Sequence, residues 1–241
     1  KWDHYEETEY TDPDQIRLNK HSGFWTDREF GYVSDGLFTS QAEIDALPYN
    51  YDGLGGGNKT LRPGDVKFKD INNDGVLDWR DQKEIGKGTT PHWFFGLNGM
   101  FAYKNFDLVA QFQGAAGYSA SVKGNQLNKR TYDTRWTEDS NDRDALQPRL
   151  GGAASNGWTS DYWLKSVRYL RLKNFALGYT LPKEISSQVN VEKLRVYISA
   201  TNLFTLSSVS KYNIDPEISS GNADQYYPQQ RTISFGVNLS F

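Results

Sequence analysis

The strongest chemical signal lies in twelve consecutive residues, Asp70-Ile71-Asn72-Asn73-Asp74-Gly75-Val76-Leu77-Asp78-Trp79-Arg80-Asp81. Oxygen-bearing side chains stand at positions one, three and five, a glycine at six, and further carboxylates at nine and twelve. A hard cation such as Ca²⁺ needs six to eight oxygens, so the chain must turn tightly around it. Asp70, Asn72 and Asp74 would supply side-chain oxygens, Gly75 the sharp turn, Val76 its backbone carbonyl, Asp78 a direct or water-bridged ligand, and Asp81 the closing carboxylate. Aspartates this close repel one another unless a cation neutralises them. Position twelve is Asp where a calcium sensor has Glu, and Gly64 to Lys69 reads as a strand rather than a helix. One isolated loop with a structural calcium ion is therefore expected, not a paired sensor. The competing reading is an Asp/Asn/Gly-rich turn that holds no ion.

Other chemistry is sparse. His4, His21 and His92 are scattered, and no His-Glu-x-x-His or Gly-x-Ser-x-Gly occurs. Gly53-Leu54-Gly55-Gly56-Gly57-Asn58 is not followed by Gly-Lys-Ser/Thr, so it is not a phosphate loop. No nucleophile–base or metal–base constellation appears, and an enzyme is not expected. Trp136, Trp158, Tyr162 and Trp163 would either stack on sugar rings or pack a long loop onto its neighbours.

Composition narrows the classes that could position such groups. The chain has 241 residues, 7 Trp, 15 Tyr, 13 Phe, no Cys and a net charge of −3. So many aromatics with so little net charge argue for a folded chain. The missing cysteines exclude disulfides and Cys-ligated metals, and the charge gives no footprint for nucleic acid. Apolar runs such as Trp93-Phe94-Phe95 fall far short of the roughly 18 residues of a membrane helix. A membrane β-barrel stays open, because its alternating strands average to a hydrophilic score. The chain opens Lys1-Trp2-Asp3-His4 without Met or signal segment, as expected of a mature form or of a piece of something longer.

Residues 1–88 are rich in turn formers, with a short helix expected near 41–47, where Ser40 and Glu43 form a capping-box pair ahead of Pro48. Residues 89–241 hold five segments of period-2 alternation: Trp93–Tyr103, Phe106–Gly114, Phe175–Leu181, Leu194–Ala200 and Ile233–Phe241. Val167 to Asn174 is out of phase with the third, which points to a bulge near Lys173-Asn174. The connections alternate: a tight turn at Lys104-Asn105, about fifty residues, a shorter link from Pro182 to Glu192, then a long one from Leu206 to Gln229. Alternating short and long loops fit an antiparallel transmembrane barrel. A soluble antiparallel sandwich is the alternative, a secreted or cell-surface calcium-stabilised module for carbohydrate binding or adhesion. The polar faces carry Ser, Thr, Asn, Gly and Gln rather than the Lys/Glu mixture of a water-facing sheet, which favours the barrel.

Several stretches, in this order, resemble the C-terminal part of the SusC/RagA family of TonB-dependent outer-membrane transporters. They are Phe30-Gly31-Tyr32-Val33-Ser34-Asp35-Gly36-Leu37-Phe38 with Ser40 to Ile44, Pro63-Gly64-Asp65-Val66-Lys67-Phe68 with the 70–81 loop, Tyr169 to Pro182, Leu194 to Phe204, and the terminal strand. The resemblance covers about Gly23 to Phe241. It implies an all-β fold, with these strands as the C-terminal part of a barrel of roughly 22, and a largely extracellular segment over 1–88. It also implies a SusD-like surface lipoprotein as partner, drive from the TonB system, import of oligosaccharides or peptides, and residence in the outer membrane of a Gram-negative bacterium. Phe241 is similar to the terminal aromatic by which the outer-membrane assembly machinery recognises barrel proteins. With a periplasmic C-terminus, strand parity places 206–229, 115–166 and the calcium-type loop outside. At about ten residues per crossing, 241 residues cannot close such a barrel, so a C-terminal fragment is expected. The plug, the TonB-contacting segment and the substrate-binding residues are not matched by any residue here.

Overall fold

Five antiparallel strands in sequence order, β5 to β9, make the main sheet. A computed structural model describes residues 1–51, 57–123, 129–218 and 229–241. The strands are β5 (Trp93–Tyr103), β6 (Phe106–Ser121), β7 (Leu164–Thr180), β8 (Lys193–Ser207) and β9 (Thr232–Ser240). β5 and β6 form a two-residue hairpin in which Tyr103 faces Phe106 and Lys104 takes a positive φ of 52°.

Cross-strand pairing gathers the alternating apolar residues onto one face. Leu97 opposes Phe112 and Phe101 opposes Leu108. Leu177 opposes Ile198, which in turn opposes Phe235, and Tyr179, Val196 and Val237 make the next row. Phe106 and Tyr179 meet with ring centroids 4.7 Å apart. This face is not covered: Phe235 is 82% exposed and Leu97, on the β5 edge, 65%. The opposite face carries Asp107, Gln111, Gln113, Arg195 and Ser199, with an Arg195–Asp107 ion pair and an Asn174–Gln111 amide bond of 2.6 Å. A register shift between Leu172 and Asn174 marks the bulge expected from the phase change, and across the pair Asn202 takes a positive φ. Beyond it Arg171 joins the polar face opposite Thr205.

The chain divides into two compact units. The second holds residues 91–117, 167–218 and, among those described, 229–241; the first holds 1–90 and 118–166. In the first unit β1 (Arg28–Gly31) pairs with β4 (Lys83–Lys87), and β2 (Ser34–Leu37) with β3 (Val66–Phe68), both antiparallel. α1 spans Pro13–Asn19 and α2 Gln41–Asp45. The Ser40 hydroxyl accepts the Glu43 N–H, whereas the Glu43 carboxylate accepts from Thr39 N–H, one residue earlier than a reciprocal box would place it. The core packs Leu37, Phe38, Ile44, Tyr51, Leu61, Val66, Phe68 and Leu77 with essentially no exposure. Two tyrosines finish the hydrogen bonding of Phe68: Tyr51 Oη accepts its N–H at 2.9 Å and Tyr49 Oη donates to its carbonyl. Burial pushes the Tyr49 phenol up to about 12 and also raises the Tyr51 phenol, so both stay protonated. Two short helices, α3 (Lys129–Asp133) and α4 (Lys183–Ser186), complete the inventory. No helix among the described residues is long and apolar enough to cross a membrane. The glycine-rich run lies, up to Gly56, outside the described residues, as does most of the stretch from 206 to 229 beyond Ile218.

Candidate functional site

The 70–81 loop follows β3 and ends in a single 3₁₀ turn, Trp79–Asp81. Its aspartates and asparagine form successive turns in which each side chain holds main-chain N–H groups ahead of it. Asp70 accepts from Asn73 N at 2.6 Å and Gly75 N at 3.0 Å, Asn72 from Asp74 N at 3.0 Å, and Asp74 from Val76 N at 2.9 Å. Asn73 and Gly75 sit at positive φ, 58° and 85°, which lets the chain reverse within six residues. The outgoing strand segment is pinned because Asn50 donates to the Gly75 carbonyl and accepts from Leu77 N–H. The Val76 carbonyl takes no part in that bridge.

Asp81 behaves differently from the others. It is fully buried and clamps the two ends of the loop, accepting from Ile71 N and Asp78 N at 2.8 Å each. Burial raises its pKa, main-chain donors from Asp78, Ile71 and Asn72 oppose that, and the charge of Asp70 adds to the rise. Asp78 accepts from Arg80 N at 2.7 Å and lies 3.3 Å from the Arg80 guanidinium. Among the described residues no group of three or more His, Cys, Asp or Glu side chains is gathered as a metal ion would gather them. Asp70, Asn72 and Asp74 are thus engaged with main-chain N–H groups of their own loop, and Asp78 and Asp81 with the main chain and Arg80.

The aromatics of the long connection pack. Trp136, Tyr162 and Trp163 are buried. Trp158 stacks on Tyr32 at 4.6 Å and on Phe68 at 5.8 Å, closing one side of the first unit's core. Two polar centres escaped the sequence reading. Asp65, fully buried, accepts from Arg149 Nε (2.8 Å) and Nη2 (3.2 Å), Arg62 N (2.8 Å), Ala153 N (3.1 Å) and Asn156 Nδ2 (2.8 Å). Gly64 before it takes a φ of 88° and packs its bare Cα against the Trp136 ring. In the second unit Arg171, almost wholly buried, bonds Asp215 at 2.7 Å and Glu217 at 3.0 Å, with Lys173 on the same glutamate at 2.9 Å. The Pro63-Gly64-Asp65 turn was a visible signal for the first centre; nothing local marks the second.

No family model matches the chain. It is 29% identical over 227 residues, 86% of its length, to a TonB-dependent receptor of Formosa agariphila. It is 26% identical along its whole length to the TonB-dependent receptor SusC of Bacteroides thetaiotaomicron. It spans 22% and 24% of those relatives, about a quarter of their length. Among solved structures, the RagAB peptide transporter superposes with a TM-score of 0.57 at 22% identity, covering 89% of this chain and 22% of that one. The likeness in sequence and the likeness in fold meet on one kind of protein.

Proposed function

We propose that this chain, whose sequence resembles TonB-dependent receptors, SusC among them, along nearly its whole length, is the C-terminal wall of an outer-membrane importer. β5 to β9 would be neighbouring strands of a closed barrel of roughly 22, with the apolar face toward lipid and the Arg195–Asp107 face toward the lumen. The observation that carries this is the uncovered apolar face. Phe235 at 82% exposure, with Val237 on the same strand and Leu97 and Phe101 on β5 also exposed, would be costly in water and is what a bilayer requires of a barrel exterior. A sandwich would instead bury that face against a second sheet. The outer edges of β5 and β9 pair with no strand among the described residues, and in lipid such edges must be closed by further strands. Import would be of oligosaccharides or peptides, driven by the TonB system, with a SusD-like lipoprotein over the loops on the outer side.

On this reading the 70–81 loop is extracellular and takes one structural Ca²⁺ through Asp70, Asn72, Asp74 and the Val76 carbonyl, with Asp78 and Asp81 completing the set. The ion would neutralise the aspartates and stiffen a loop close to the partner. Barrel stability and uptake that stay unchanged in an Asp70→Ala, Asp74→Ala double variant would remove any role for the ion. The wider reading is tested by extracting the full-length protein from its native membrane and identifying co-purifying chains and ligand by mass spectrometry. Extraction only in detergent, together with a lipoprotein partner, is expected; solubility without detergent would leave the secreted binding module in its place.

A further inference from the structure

A cavity of about 290 Å³ opens in the first unit beside the segment Gln147–Gly157. Three cations, Lys123, Arg135 and Arg149, stand in its wall, and no acidic residue among the described ones lines it. Arg149 is neutralised from behind by Asp65. The other two are not: among the described residues neither lies within ion-pair distance of a carboxylate. Among the described residues Lys123 Nζ donates to the Gly157 carbonyl at 3.4 Å, and the Arg135 guanidinium lies over the Tyr132 ring, 3.6 Å from its centroid. One guanidinium nitrogen, Nη1, donates to the Tyr132 carbonyl, which with the ring contact holds the group in place; its remaining N–H groups can serve a further acceptor.

From this we infer a binding site for an acidic sugar residue, one bearing a carboxylate or a sulfate, on the oligosaccharide that the protein handles. Lys123 and Arg135, which have no carboxylate partner among the described residues, would hold the acid group by charge-assisted hydrogen bonds. Gln147 and the glycine-rich main chain at Gly151-Gly152 offer neutral partners for hydroxyls, and the Trp163 side chain lines the same wall. The volume, at the small end of ligand pockets, suits one residue of a chain rather than a whole polymer. This inference rests on the reading of the protein as an importer and narrows its ligand class.

The test uses the detergent-purified full-length protein and a chondroitin sulfate tetrasaccharide in four forms: intact, desulfated, carboxyl-reduced, and both, measured by isothermal titration. The intact form is expected to bind at least about tenfold more tightly than the neutral form, and the two intermediate forms report whether sulfate or carboxylate is read. Lys123→Gln with Arg135→Gln should abolish the preference, while Lys123→Arg with Arg135→Lys keeps most of it. Circular dichroism of both variants should match the parent. Equal binding of intact and neutral forms, no binding of any form, a preference that survives in the Gln pair, or equal binding of tetraglutamate would each overturn the inference. Extraction with a lipoprotein partner is measured separately, so an importer that ignores acid sugars keeps the importer reading and loses this site.

Discussion

Replacing Asp65 by Asn tests how the first unit is held together. The native carboxylate receives five donors, from Arg149 twice and from Arg62, Ala153 and Asn156 once each, all at 2.8 to 3.2 Å. Oδ1 takes three of these and Oδ2 two. An amide keeps one accepting oxygen and puts an NH₂ on the other side, so donors there face a donor. If the amide nitrogen occupies the Oδ2 position, the Arg62 N–H and one Arg149 contact are lost at a site with no solvent access. Each stranded donor costs about 1–3 kcal/mol, and breaking a buried ion pair about 3–5 kcal/mol. Arg149 keeps a quarter of its side chain exposed, which lowers its share. A destabilisation of about 3 kcal/mol is the consequence, a factor of roughly a hundred in local opening. Hydrogen exchange of the full-length protein in detergent reads this directly: amides of 62–68 and 149–156 should exchange about a hundred times faster, with β7 to β9 unchanged. Exchange within threefold of the parent at 62–68 would show that Asp65 does not organise this unit.

Three further outcomes follow from individual contacts. Tyr51→Phe leaves the Phe68 N–H without its buried acceptor and should cost about 1–2 kcal/mol, against about 2–5 kcal/mol for the cavity of Leu77→Ala; exchange at β3 ranks the two. Glu43 is pushed up by burial but pulled further down by the Thr39 N–H, then by Lys67 and Arg143, so its net pKa lies below 4.5. A carboxylate with a depressed folded value gives stability present above its unfolded value and lost as pH falls through the folded one. Protection of α2 should therefore fall below about pH 4.5, and a Glu43→Gln variant should show no such fall. Calcium should raise the melting temperature of the first unit relative to chelator, and the Asp70→Ala, Asp74→Ala variant should not respond; a parent that does not respond leaves 70–81 a plain turn.

Strand identity was legible where alternation was unbroken, and the ends were not. The runs at Phe106, Phe175, Leu194 and Ile233 are all strands, yet β6 to β8 run on by up to eleven residues at their far ends. The cause is visible in the backbone. Gly117 takes a positive φ in β6, and the Leu172/Asn174 shift opposite Asn202 changes which residues share a face in β7 and β8. A period-2 count stops there although the ladder continues. The paired strands β1 with β4 and β2 with β3 are three to five residues long and join segments some thirty to fifty residues apart, too short to show a period. The tight chain reversal within 70–81 was legible from spacing alone. The Asp65 and Arg171 centres were not, because their partners lie 84 and 44 residues away; the Pro63-Gly64-Asp65 turn marks a bend but not the arginine that meets it, and nothing local marks Arg171. The buried Trp136, Tyr162 and Trp163 show how residue type fails to separate a sugar platform from packing.

The topology of the strands in the membrane is the most direct test of the importer reading. The 241 residues contain no cysteine, so single cysteines can be placed at Lys104, in the β5–β6 turn, and at Ser140, exposed in the long connection, in the full-length protein on living cells. A membrane-impermeant maleimide is expected to label Ser140→Cys on intact cells and Lys104→Cys only after the outer membrane is opened. Labelling of Lys104→Cys on intact cells, or of neither position until lysis, would contradict a barrel wall with its short turns inside and its long loops out.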